Sequence, residues 1–154
     1  MLPSIFVVLA FLVLSTYSYR SETGSQTYVE VITIDDIAKL KLNEGAEFIP
    51  LTRDLENRGL ISYKIGQRVP NDRLVSRVSD SIYWNVPQNV QLRVEYPSKG
   101  IGAVVSFVEC NVNQSSENGR AYIISGGYGQ RNICFVIEAF STFWFNYDCT
   151  IWGK

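Results

Sequence analysis

The chain has 154 residues, 46% of them hydrophobic and 13% aromatic, with 14 Lys+Arg against 15 Asp+Glu and no histidine. That length points to one domain with enough apolar residues for a core, and the near-neutral charge provides no field to steer it onto nucleic acid. The lack of histidine removes every Ser-His-Asp or Cys-His triad, and the three cysteines form no CxxC pair for zinc, so we expect a protein that is not an enzyme and uses no metal or cofactor.

Residues 1–18, MLPSIFVVLAFLVLSTYS, carry an unbroken apolar run from Ile5 to Leu14. It is shorter than the roughly twenty residues that cross a bilayer. Small residues follow at Ser15, Thr16 and Ser18, so the segment reads as a signal peptide cleaved after Ser18. No Lys or Arg precedes the run, which leaves only the α-amino group positive. Arg20 opens a polar stretch, RSETGSQ, and no second run of spanning length exists. The mature chain is expected to be extracellular and free of membrane attachment. We divide it into an N-terminal segment, 19–59, packed as one domain with a β-domain at 60–154.

Thr27 to Ile34, TYVEVITI, is rich in β-branched residues and predicts a strand. DDIAKLKL, starting at Asp35, predicts a short helix with Gly45 beyond its end, and TRDLENRG, Thr52 to Gly59, a further helical turn. From there the period becomes two. Ile61, Tyr63 and Ile65 alternate with polar residues, as do Ile82, Trp84 and Val86 before Pro87. Leu92, Val94 and Tyr96 alternate with Gln91, Arg93 and Glu95 as a half-buried strand should. Val104 to Val112 and Ala121 to Ile124 follow, then two closing strands, Ile133 to Phe140 and Phe143 to Trp152. The fold class is therefore all-β, an antiparallel β-sandwich or open barrel of seven or eight short strands.

The closing pair poses a register question. A two-residue turn at Ser141-Thr142 would set Cys134 opposite Cys149, but it would also put Ile133, Phe135 and Ile137 on the face of Asn146 and Asp148. Burying each large apolar side chain is worth about 1.5–3 kcal/mol, against a disulfide's typical 2–4. We therefore expect Ile133, Phe135 and Ile137 to share an interior with Phe143, Phe145 and Tyr147, and Cys134 not to bond Cys149. Cys110 and Cys134 are the alternative disulfide, if their strands are neighbours. Trp144 and Trp152 fall on the outer row, either covered by another strand or loop or serving as a binding platform.

Asn113-Gln114-Ser115 is an N-glycosylation sequon in the polar stretch NVNQSSENGR, consistent with export. Ser125-Gly126-Gly127-Tyr128-Gly129 lacks the Lys-Ser/Thr of a phosphate loop and precedes a strand, so it reads as a tight turn with glycines at positive φ. Asp35-Asp36 gives no catalytic signal. A hydrolase without histidine would need two carboxylates converging at about 5 to 9.5 Å.

YPSKG at 96–100, GRAYIISGGYG at 119–129, an alternating IxFxI and a terminal IWGK together resemble the insect multiprotein bridging factor two family. In that resemblance Gly126, Gly127 and Gly129 form the signature turn, and Ile151, Trp152 and Gly153 the closing motif. Gly66-Gln67-Arg68 and Asp72-Arg73-Leu74 match its Gly-x-Arg and Asp-x-Leu elements. The match covers roughly residues 60–154. AFSTFWF departs from the glycine-containing loop usual at that place, and Cys134 stands where a polar residue is usual. The resemblance brings no catalytic residues. It implies a small secreted or salivary protein that binds a protein or a small apolar ligand. The family's name implies instead a transcriptional coactivator bridging a DNA-binding regulator to the basal machinery, through proteins and without direct nucleic-acid contact.

Overall fold

The computed structural model describes residues 17–21, 27–34, 49–55 and 60–154. The expected leader, up to Thr16, and the expected helix from Asp35 lie outside the described residues. Nine strands are present among the described residues: β1 (Tyr17–Ser21), β2 (Thr27–Thr33), β3 (Ile49–Pro50), β4 (Thr52–Leu55), β5 (Leu60–Gly66), β6 (Arg73–Tyr96), β7 (Val105–Gln114), β8 (Gly119–Gly126) and β9 (Ile133–Gly153). All pair antiparallel in one sheet of order β1-β2-β6-β9-β7-β5-β4, with β8 also on β9 and β3 on β8. No helix occurs among the described residues, and the all-β antiparallel expectation holds.

Two of the strands are far longer than expected. β6 has 24 residues and β9 has 21. The closing hairpin is thus one strand: Ser141 sits at φ 54 and Thr142 pairs with Gln88, where the β6–β9 register shifts. On β6, Trp84 to Pro87 have no ladder partner across the same irregularity. A proline can occupy a strand at such a bulge because its missing N–H is not needed there. Both long strands therefore bend at the same level.

The bend folds the sheet back on itself. An extended 24-residue strand would span about 80 Å, yet Thr27 Oγ1, beside the end of β6, lies 2.6 Å from Ser76 Oγ near its start. Ile133, Phe135, Ile137 and Ala139 of β9 join Phe145, Tyr147, Cys149 and Ile151 in a single core cluster. Val29, Val31, Val90, Leu92, Val94, Ile61, Tyr63, Val108 and Val112 complete its centre. The expected common interior is present for Phe145 and Tyr147, built along one strand instead of across a turn, but Phe143, expected in it, lies at the bend and is 44% exposed.

Thr52–Leu55 forms an edge strand on β5, Leu55 opposite Ile61, and not a helical turn. Four residues cannot offset helix nucleation, whereas the open edge of β5 supplies ready ladder partners. Its four side chains are all exposed, including the charged Arg53 and Asp54. β1 reaches back to Tyr17 and Ser18; cleavage after Ser18 would leave Tyr19, Arg20 and Ser21 opposite Val29, Tyr28 and Thr27.

Candidate functional site

The resemblance motifs, scattered along the sequence, meet at one end of the molecule around the first residues of β7. The backbone of Val104 exchanges hydrogen bonds with Lys154, N to O 2.8 and 3.0 Å. Val105 N donates to Gln130 O at 2.8 Å and its carbonyl accepts from Gly129 N at 2.8 Å. Ser106 O accepts from Gln67 N at 3.0 Å. Three consecutive residues thus hold the chain's end, the β8–β9 turn and the exit of β5.

The glycine motifs are explained by this closure. Gly66 has φ +74, and a Cβ there would lie 2.2 Å from Ser106 O and 2.7 Å from the Tyr128 ring. Gly126, Gly127 and Gly129 all have positive φ in the turn between β8 and β9. A strand follows that turn, so it offers no helix N-terminus to an anion.

Arg68 and Asp72 of the Gly-x-Arg and Asp-x-Leu elements tie the same end together. The Arg68 guanidinium lies 3.3 Å from the centroid of the Trp152 ring and reaches both Asp72 carboxylate oxygens, Nε to Oδ1 at 2.9 Å and to Oδ2 at 3.0 Å. Asp72 Oδ2 also accepts from Val69 N at 3.0 Å and Ser106 Oγ at 2.9 Å. The Arg68 hydrogen bonds hold its pKa down at about 2, helped by the Val69 and Ser106 donors and opposed by desolvation. Trp152, on the outer row as expected, is thus covered by an arginine.

A groove of about 1,020 Å³ opens beside this knot, where the two ends of β6 approach each other. Arg73, Arg77, Arg131 and Lys154 line it, together with Leu74, Tyr96 and Ile101. Ile101 is 86% exposed and Leu74 44%. No Asp or Glu is among the described lining residues. Arg77 is held by Asp148, with bonds of 2.9 and 2.7 Å, and Arg131 Nη1 donates to Gly102 O at 3.2 Å. The sequence reading missed this groove, because its cations come from the start of β6, the loop before β9 and the last residue. The nearest signal was Arg73 inside Asp-x-Leu, next to an exposed leucine.

Of the remaining predicted site residues, Asn113 is exposed on β7, opposite Leu60 of β5 and Asn146 of β9. The expected Cys110–Cys134 pairing is corrected: Cys110 bonds Cys149, its cross-strand partner, with Cα atoms 4.0 Å apart. β7 does neighbour β9, but along its second half only; the first half, with Cys134, runs beside β8. Cys134 is a free buried thiol whose pKa burial pushes up, against the neighbouring Arg93. Glu138 is wholly buried, ion-paired to Arg120 and accepting from the Tyr122 hydroxyl at 2.7 Å and Gln91 Nε2 at 3.2 Å. Burial and that carboxylate push the Tyr122 pKa up. With its oxygens so occupied, Glu138 ties β6, β8 and β9 together.

A family model described as "Transcription activator MBF2" matches residues 65–153. No curated protein and no solved structure matches the chain. The matched span begins just before the Gly66 turn and ends at Gly153, so it takes in the seam at this end of the sheet except for Lys154.

Proposed function

From the premise that the chain belongs to the MBF2 family, we propose that it is an exported, non-enzymatic interaction domain that engages an acidic segment of a partner protein along the groove. The observation that carries this reading is the groove's lining: four cationic side chains, of which Arg77 is already paired with Asp148, beside exposed Leu74 and Ile101, with no Asp or Glu among the described lining residues. A mainly cationic surface with apolar contacts suits a partner of opposite charge that also offers apolar side chains. The motif residues frame that surface instead of reacting on it: Arg68 and Asp72 are committed to each other and to Trp152.

Binding is tested by fluorescence anisotropy with a labelled peptide rich in Glu and Leu, against a matched peptide rich in Lys and Leu. The acidic peptide should bind, more weakly as salt rises, and the double variant Arg73→Glu/Arg131→Glu should abolish the signal. Equal binding of both peptides would remove the groove from the reading. Export is tested separately, by mass spectrometry of chain recovered from the medium of expressing insect cells, which should begin near Tyr19.

The family's description favours a second reading, a protein-binding transcription activator. It predicts the uncleaved chain in nuclei, with the same groove serving as the contact. The location of the chain separates the two.

A further inference from the structure

We propose that Asn113 is an N-glycan acceptor that can be modified only before β9 pairs with β7, so that sheet closure sets the time limit for adding the sugar. This rests on the exported reading above. The triplet straddles the end of a strand flanked on both sides: Asn113 and Gln114 close β7, where Asn113 pairs with Leu60 of β5 and with Asn146 of β9, and Gln114 with Phe145, and Ser115 follows in the bend.

The hydroxyl that makes the triplet a sequon is engaged as both donor and acceptor in the folded chain. Thr142 Oγ1 gives its proton to Trp144 O at 2.6 Å, so in its 3.1 Å contact with Ser115 Oγ it is the acceptor. Ser115 Oγ therefore donates to Thr142, and it accepts from Phe143 N at 2.7 Å. Ser115 N adds a third tie, to Thr142 Oγ1 at 3.0 Å. Every one of these partners belongs to β9, at its bend. Three residues upstream the Cys110–Cys149 disulfide clamps the same two strands.

The finished fold nevertheless accommodates the product. Trp144 Nε1 donates to Asn113 Oδ1 at 2.8 Å. An indole N–H is a donor only, so its partner must be the amide oxygen, and the amide nitrogen is left for the sugar. In the transfer, Nδ2 forms a bond to the anomeric carbon of an oligosaccharide carried on a lipid pyrophosphate. The sugar–phosphate bond breaks, and the pyrophosphate leaves with the bonding electrons while Nδ2 gives up a proton. Asn113 Oδ1 keeps its lone pairs, so the Trp144 bond survives the modification.

The test uses purified oligosaccharyltransferase with its lipid-linked donor, and reads an endoglycosidase-sensitive mobility shift. Folded, disulfide-bonded chain should show no shift, and the same chain reduced and denatured should shift by one glycan, lost in Asn113→Gln. Lys99→Asn/Ile101→Thr places a control sequon on an exposed loop; this folded variant should be modified there and not at Asn113. Modification of Asn113 in the folded chain, or of neither folded nor unfolded chain, overturns the proposal, as does a control loop that resists modification as fully as Asn113. Cleavage of the leader in microsomes is read in a parallel lane, so loss of the export reading is seen separately from loss of this one.

Discussion

The two halves of β9 bury their residues in different ways. From Ile133 to Ala139 every residue is buried, whereas from Phe145 to Gly153 burial alternates, inner residues covered and outer ones half open. A strand covered on both faces has to satisfy any polar group it carries on either side, whereas one with a wet face can leave polar residues to water. The first half accordingly carries Glu138 inside a complete set of donors from Arg120, Tyr122 and Gln91. The second half carries Asp148 and Thr150 on its half-open face and is fastened by a covalent bond to β7.

That contrast can be broken at several points. The largest effect is expected in the second half: Cys149→Ser should lower unfolding free energy by about 4 kcal/mol, since the bridge closes a loop of 39 residues' separation. The shift of the urea midpoint measures it. In the first half, Glu138→Ala should cost about 3 kcal/mol, because the buried partners lose their acceptor, while half-exposed Arg120 can turn to water. A midpoint unchanged by that substitution would mean the network contributes nothing to folding.

Acid reports on the seam instead of on β9. Asp72 has a folded pKa of about 2, below the ordinary 3.8. Its contribution is therefore complete above pH 4 and lost as the pH falls from there through about 2. Wild type should lose stability over that window more steeply than Asp72→Asn, as followed by denaturant midpoints at stepped pH. The smallest effect is predicted for Asp148→Ala on the wet face. Its pair with Arg77 is exposed on both sides, 61% and 38%, and should contribute below about 1 kcal/mol.

The same contrast shows what could be read in the sequence. Alternation exposed Leu92, Val94 and Tyr96 as core residues, and all three are fully or nearly fully buried. It also joined the two apolar rows of β9 in one core, except for Phe143, which the bend turns outward. It could not tell a bulge from a turn: Pro87 and Ser141-Thr142 carry turn chemistry, and both lie where long strands bend without ending. The disulfide was out of reach because its pairing depends on which half of β9 lies beside β7, a matter of topology and not of local pattern. The groove was hidden for a similar reason, since Arg73, Arg131 and Lys154 are brought together only when the sheet curls. The glycine turn was legible, because positive φ at Gly126, Gly127 and Gly129 is what an abrupt strand reversal requires.

β9 is also the last of the described strands in chain order. Without it, the pairings leave three separate ribbons: β1-β2-β6, β3-β8 and β4-β5-β7. A premature stop anywhere ahead of Ile133 would remove the strand that pairs with β6, β7 and β8 and so joins the three ribbons into one sheet, and no smaller working version of this protein is expected. Shortened transcripts should therefore behave as complete losses. Conversely, a circular permutant that makes this strand first would give the ribosome a template on which the other pieces could assemble as they emerge.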